Sequence, residues 1–369
     1  MNLYNYIDDY GIYSFYEKPF NELDAAIFSF LSYVDYSSAI KNNKVLLKNA
    51  GRILFGVNSS KKRKDIIAIR EATKMLNYIK DVKRYKDCLL YNYIYEANDD
   101  IQFSAICIEY IHGEVYVSYE GTDQMISGWK EDLLLSYEFP TLSHIKAINY
   151  LNRHFTFSNK KLIIGGHSKG GNFALVAAMC CNFLVQKKIV KVYSHDGPGL
   201  LEKEFKSKRF KKIENKYVHY IPNDSIVGIL LNNSNSIVVN STVRGPLAHD
   251  ILFWKVDKDK FVKDKLTPFS QGLQSGINKF LDNHSQVELE LVINDLSLLC
   301  KRANIDSLLD FKEDNKNIIK LLNESKRLSK TSRKILYELL DVIIHAIGND
   351  KYVNFKEFVK KFRIDVKLD

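Results

Sequence analysis

Ser168 sits in Gly166-His167-Ser168-Lys169-Gly170, a G-x-S-x-G pattern whose setting is more informative than the pattern itself. The apolar run Leu162-Ile163-Ile164 leads into it, and the helix-forming run from Asn172 to Met179 leads out. Strand, sharp turn and helix are what a nucleophile elbow requires: the serine is held in a strained backbone conformation at the top of a sheet. Gly166 and Gly170 let the helix pack close to the strand without a Cβ clash. The alternative is a glycine-rich strand-to-helix turn with an idle serine.

A serine alone is a poor nucleophile; it needs a base to take its proton and a third group to orient that base. On α/β-hydrolase sheets these partners follow in the order Ser, Asp or Glu, His, on loops at strand ends. Asp224 follows the predicted strand that ends at Ile221, and His249 follows the one that ends near Val239. Ser168, Asp224 and His249 therefore stand in the required order. Asp196 also follows a strand, one strand earlier than the usual acid. Asp250 adjoins His249, and adjacent residues rarely aim at one another. His167 should point away from the elbow, and His195 stands at a strand end from which it could line the site. The oxyanion of an acyl-transfer reaction needs preorganised donors. One is expected from the backbone N–H of Lys169. The other is expected from Thr122, where Tyr119-Glu120-Gly121-Thr122 reads as a strand, a glycine that permits close approach, and a hydroxyl.

Three segments together are more specific than any one. Tyr119-Glu120-Gly121-Thr122, Gly128-Trp129-Lys130-Glu131-Asp132-Leu133 and Gly166-His167-Ser168-Lys169-Gly170-Gly171 resemble the class 3 lipases. The lysine after the serine, with Asp196-Gly197-Pro198-Gly199, is closer to a bacterial lipase-3-like family catalogued as a domain of unknown function. The motifs span Phe103 to Trp254. The resemblance implies an α/β-hydrolase fold, a triad of Ser168, Asp224 and His249, and an oxyanion hole from Thr122 and Lys169. Trp129 and Asp132 are then expected to brace the oxyanion loop. Two departures bear on substrate: Glu120 stands where those lipases carry arginine, and Lys169 replaces leucine beside the nucleophile.

The elements that must position these residues are legible in the hydrophobic periodicity. Asn21-Glu22-Leu23-Asp24 reads as a helix cap before a helix over Ala25–Tyr33, and a second helix is predicted over Lys62–Asp81. Strands are predicted over Cys88–Tyr95, Phe103–Tyr110 and Val115–Tyr119, with turn signals between them. A helix over Ser143–Phe155, the elbow, and strands over Lys191–Ser194, Tyr217–Ile221 and Ser236–Val239 complete an alternation that argues for a mainly parallel sheet covered on both faces. Strand signals end near Lys260, and Leu289–Cys300, Asn317–Leu328 and Ser332–Ile347 read as helices. The predicted organisation is an N-terminal helical segment over 1–85, a hydrolase core over 86–259 and a helical region over 260–369. Leu336, Leu339, Leu340, Ile343 and Ile344 form a stripe expected to bury against the core.

Composition limits the partners. The 54 Lys and Arg exceed the 44 Asp and Glu, giving a net charge of +10, but the lysines are dispersed, which argues against nucleic-acid binding. The densest basic stretch, Lys203–Lys216, reads first as an exposed loop or helix face, and second as a contact for an anionic membrane or an acidic partner. The five cysteines lack metal-ligand or disulfide spacing and read as buried hydrophobes of a reducing compartment. With no signal-peptide pattern and no run of membrane-spanning length, a cytoplasmic protein is expected. No metal or organic cofactor is implied. The sequence thus points to a serine hydrolase acting on a carboxylic ester, a lipid or another acyl ester. Its rival is an idle scaffold that binds an acyl ligand or a protein.

Overall fold

The computed structural model describes residues 1–41, 44–56, 67–98, 101–122, 134–303, 324 and 327–347. Eight strands form one sheet in sequence order: β1 (Val45–Leu46), β2 (Leu89–Ala97), β3 (Gln102–Ile111), β4 (Glu114–Tyr119), β5 (Lys161–His167), β6 (Ile189–His195), β7 (Tyr217–Pro222) and β8 (Ile237–Val239). β1 to β4 are an antiparallel meander, and β4 to β8 run parallel. Helix-containing crossovers link β4 to β5, β5 to β6 and β6 to β7, whereas β7 reaches β8 through a loop without a helix. This is the mainly parallel, helix-covered sheet that the alternating pattern predicts, and it agrees with the α/β-hydrolase fold that the resemblance implies.

Two apolar layers hold the sheet. On one face the elbow helix Lys169–Cys180 and the helix Leu142–Phe155 bury Phe173, Leu175, Val176, Ala147 and Leu151 against Val117, Ile164 and Val192. On the other face lies the N-terminal segment. Its central helix, Glu22–Leu31, is buried from Leu23 to Leu31 and packs on Tyr116 and Tyr193. The cap at Asn21 is a full capping box, in which Asp24 reaches back to the Asn21 N–H. Asp24 is itself fully buried. Its charge is met by a two-point contact with Arg84 at 2.8 and 2.6 Å and by the hydroxyls of Tyr6 and Tyr85. Glu22 ties the same helix to β7 and to the hairpin after β8, accepting from the Tyr220 hydroxyl at 2.6 Å and from the Phe261 N–H at 2.9 Å.

The helices Leu3–Tyr10, Leu47–Gly56 and Pro268–Asp282 and the short β1 were not anticipated. Strand pairing also continues past 259, because Lys260–Phe261 closes a two-strand hairpin with Val256–Asp257. The predicted helix over Lys62–Asp81 is seen as Ile67–Ile79; residues 62–66 and most of Asn317–Leu328 lie outside the described residues.

The C-terminal helices do not stand apart. Pro268–Asp282 lays Leu273, Phe269 and Ile277 on Ile221 and Val238, and the Ser270 hydroxyl donates to the Ser225 carbonyl at 2.7 Å. Gln286–Ala303 and Lys330–Ile347 pack with it, burying Phe280, Leu289, Val292 and Ile335 together, and Leu299, Leu328 and Leu336 in a second cluster. Leu339 joins the first cluster; the side chains of Leu340, Ile343 and Ile344 lie outside the described residues. Among the described residues no helix is long and apolar enough to cross a membrane.

Candidate active site

The register of the parallel strands brings the site together. Tyr119 pairs with Gly166, His167 with His195, and His195 with Tyr220. The residues that follow, Glu120, Ser168 and Asp196, therefore leave the sheet side by side at its carboxyl edge. Ser168 has φ 56° and ψ −135°, the strained conformation of an elbow, and the helix starts at the next residue. Its N–H donates to the His195 carbonyl at 2.9 Å, which fastens the turn to the neighbouring strand end. Side-chain-free backbone is needed here. A Cβ on Gly170 would lie 2.2 Å from the Tyr119 carbonyl oxygen. One on Gly121 would lie 2.5 Å from the His167 carbonyl oxygen and 3.0 Å from the Ser168 Cβ. The Gly121–Thr122 backbone thus abuts the elbow from the β4 side.

His249 ends a 3-10 turn, Gly245–His249, in the loop after β8. Its Nδ1 donates to Asp196 Oδ2 at 2.6 Å. The other Asp196 oxygen accepts from the Ser225 hydroxyl at 2.6 Å and the Gly228 N–H at 2.9 Å, and the carboxylate is fully buried. Asp196 is held at φ 51°, a strained position fixed by this network. The Nδ1 contact leaves Nε2 as the ring nitrogen turned to other partners.

The expectation that Asp224 orients His249 is corrected. Asp224 accepts from the Gly245 N–H and from the Thr267 hydroxyl. It anchors the start of the turn that carries His249 and the start of the helix Pro268–Asp282. The physical reason is position: Asp196 directly follows the register pair His195–Tyr220, next to Ser168, whereas Asp224 lies one strand further out, beyond Pro222.

The neighbouring histidines divide into holders and core. His167 Nε2 lies 2.8 Å from the His249 carbonyl, which can only accept, so Nε2 carries the proton. Burial pushes the His167 pKa well down, with the nearby His249 adding to the effect, so the ring is neutral and its Nδ1 accepts from the Tyr33 hydroxyl at 2.9 Å. Tyr33 belongs to the N-terminal segment, so this segment reaches the site through the chain Tyr33–His167–His249, unforeseen from sequence. His195 does not line the site. It is fully buried on the opposite face of β6, bonded to the Ser29 hydroxyl at 3.1 Å and stacked between Tyr193 and Tyr220. Asn172, one turn into the elbow helix, accepts from His144 at 2.6 Å and donates to the carbonyls of Pro198 and Gly199, tying the helix to the loop after Asp196. Lys169 is buried, with its ammonium 5.7 Å from the Phe173 ring. Trp129 and Asp132 lie outside the described residues.

Burial lowers the pKa of His195 to about 3 and that of His219 to about 4. The unfolded chain takes up protons near pH 6.5 that the folded protein refuses. Stability is therefore full above that value and is lost as pH falls toward those folded values. The slope is at most about 1.4 kcal/mol per pH unit for each histidine. Urea midpoints between pH 7 and 5 should drop accordingly, and His195→Phe should flatten the drop. A midpoint that does not move across this window would mean that the imidazoles are charged or solvated in the fold.

The Mbeg1-like family profile matches residues 79–297. No curated protein matches the sequence. Among solved structures, the chain is similar to one titled "Crystal structure of M37 lipase", with 16% identity, 58% of this chain and 71% of that chain covered, and a TM-score of 0.35.

Proposed function

The chain belongs to the Mbeg1-like family, and we propose that it is a serine hydrolase of carboxylic esters with Ser168 as nucleophile, His249 as base and Asp196 as the orienting acid. The observation that carries this reading is the Nδ1–Oδ2 contact of 2.6 Å between His249 and Asp196, beside a serine on a strained elbow. Ser168 Oγ attacks the ester carbonyl carbon while His249 Nε2 takes its proton. The oxyanion forms against the backbone N–H groups of Lys169 and Thr122. Lys169 opens the helix, so its N–H belongs to the first turn, which has no intrahelical acceptor. The tetrahedral intermediate collapses, the alcohol leaves with the proton from His249, and water repeats the sequence to release the acid. Asp196 holds the imidazole tautomer, while His167 and Tyr33 fix the backbone that carries it. Asp224 keeps a positioning role in the same loop.

The test is labelling by a fluorophosphonate, which needs an activated serine rather than the right ester. One adduct per chain is expected, on the peptide that contains Ser168, and none in Ser168→Ala. Labelling that persists in that variant, or none in the wild type, would sink the assignment; the second result would favour the idle scaffold. A panel of p-nitrophenyl esters of increasing acyl length would then define the substrate class.

A further inference from the structure

The end of the molecule remote from Ser168 carries a surface that the proposed reaction does not use. Phe157 is 95% exposed, Phe183 64%, Leu184 51% and Val190 55%. The two chain segments that carry them adjoin. The Asn182 side-chain amide donates to the Thr156 hydroxyl at 2.7 Å, and Lys188 Nζ donates to the carbonyls of Phe155 and Thr156 at 2.6 and 2.8 Å. These bonds bring the segment after Phe155 against the segment that follows the elbow helix. Four exposed large apolar side chains on two adjoining segments call for an occupant.

The charges around it indicate which one. No acidic residue occurs from Arg153 to Lys161 or from Phe183 to Lys191. Lys187 lies over the Phe183 ring at 4.3 Å. Arg209 and Lys212 line a cavity of about 400 Å³ together with Phe183, Ile148 and Met179. In the same basic stretch Lys206 pairs with Glu202 and Lys211 with Glu214, yet Lys187, Arg209 and Lys212 form no ion pair with a carboxylate among the described residues. Apolar side chains that project beside cations without a carboxylate partner match the two layers of an anionic lipid interface, acyl chains beneath phosphate.

We propose that this surface docks the protein onto an anionic bilayer, with Phe157, Phe183 and Leu184 entering the interface and Lys187, Arg209 and Lys212 meeting the headgroups. The site differs from the basic stretch alone, because it requires the apolar residues of two other segments. The elbow helix from Lys169 to Cys180 places Ser168 about 18 Å from this end. Docking therefore turns the serine away from the bilayer, which serves as an anchorage rather than as the source of the ester. The proposal does not depend on the hydrolase reading.

Partitioning onto phosphatidylcholine vesicles with and without phosphatidylglycerol tests it, using the full chain. The wild type should bind only the phosphatidylglycerol-containing vesicles. Neutralising Lys187, Arg209 and Lys212 to Gln should weaken binding about fivefold for each charge removed. Phe183→Ser with Leu184→Ser should weaken it about tenfold or more. Both variants should keep the wild-type melting temperature, since the changed side chains are exposed. Absence of vesicle binding, equal binding to neutral vesicles, or an apolar variant that binds like wild type would each overturn the proposal; the last would reduce it to adsorption of a basic surface.

Discussion

Asp196→Asn should lower kcat by about 10⁴-fold on any ester the protein cleaves, while the fold persists. The amide would present either a donor or a weaker acceptor to His249 Nδ1. The imidazole would then settle in the tautomer that carries its proton on Nε2, where it cannot accept from Ser168. The remaining Asp196 contacts, to the Ser225 hydroxyl and the Gly228 N–H, can be kept by the amide oxygen. Asp224→Asn should behave differently. Its partners are Gly245 and Thr267, so the loss is structural, about 1–2 kcal/mol in unfolding free energy, with kcat within about tenfold of wild type. Steady-state kinetics and urea titration of both variants decide the matter. A larger kcat loss at Asp224 would restore it as the orienting acid and make the observed contact at Asp196 incidental.

That pair of aspartates marks where sequence reasoning stopped. The elbow was legible because its signal is local: an apolar run, two glycines about a serine, and a helix-forming run. His249 stood out as a candidate because few histidines follow the last predicted strand, and the fold brings it to Asp196. The carboxylate that meets His249 was not legible, because Asp196 and Asp224 both sit after strands, and chain order admits either. What distinguishes them is the register His167–His195–Tyr220, which sets Ser168 and Asp196 on adjacent strand ends. Register is a pairing property, invisible in one strand's sequence. The Tyr33–His167 link was hidden for a similar reason. Tyr33 follows an apolar helix and reads as core, and only the packing of that helix on the sheet brings its hydroxyl to the elbow. The parallel sheet came through because its buried strands and covering helices have distinct periods. The helix Leu3–Tyr10 did not, being short and interrupted by Asp8 and Asp9.

His249→Ala should have the largest effect of any change outside Ser168, about 10⁵- to 10⁶-fold in kcat. The base and nucleophile act as one unit, so removing the base leaves only oxyanion stabilisation and binding. The substitution should not unfold the protein. The His249 side chain is partly exposed, and its backbone carbonyl, which survives the change, still accepts from His167 Nε2. His195→Ala should show the opposite balance. Its ring is buried between Tyr193 and Tyr220 and near Trp254, so truncation leaves a cavity and costs about 3 kcal/mol of stability, with kcat per folded molecule nearly unchanged. The two variants therefore separate chemistry from packing when turnover is normalised to folded protein. Phosphonate labelling supplies a second reading, because it also requires the base: it should fall steeply in His249→Ala and persist in His195→Ala. If His195→Ala lost labelling while His249→Ala kept it, proton transfer would run through the buried imidazole, and the Asp196–His249 contact would be a loop anchor only.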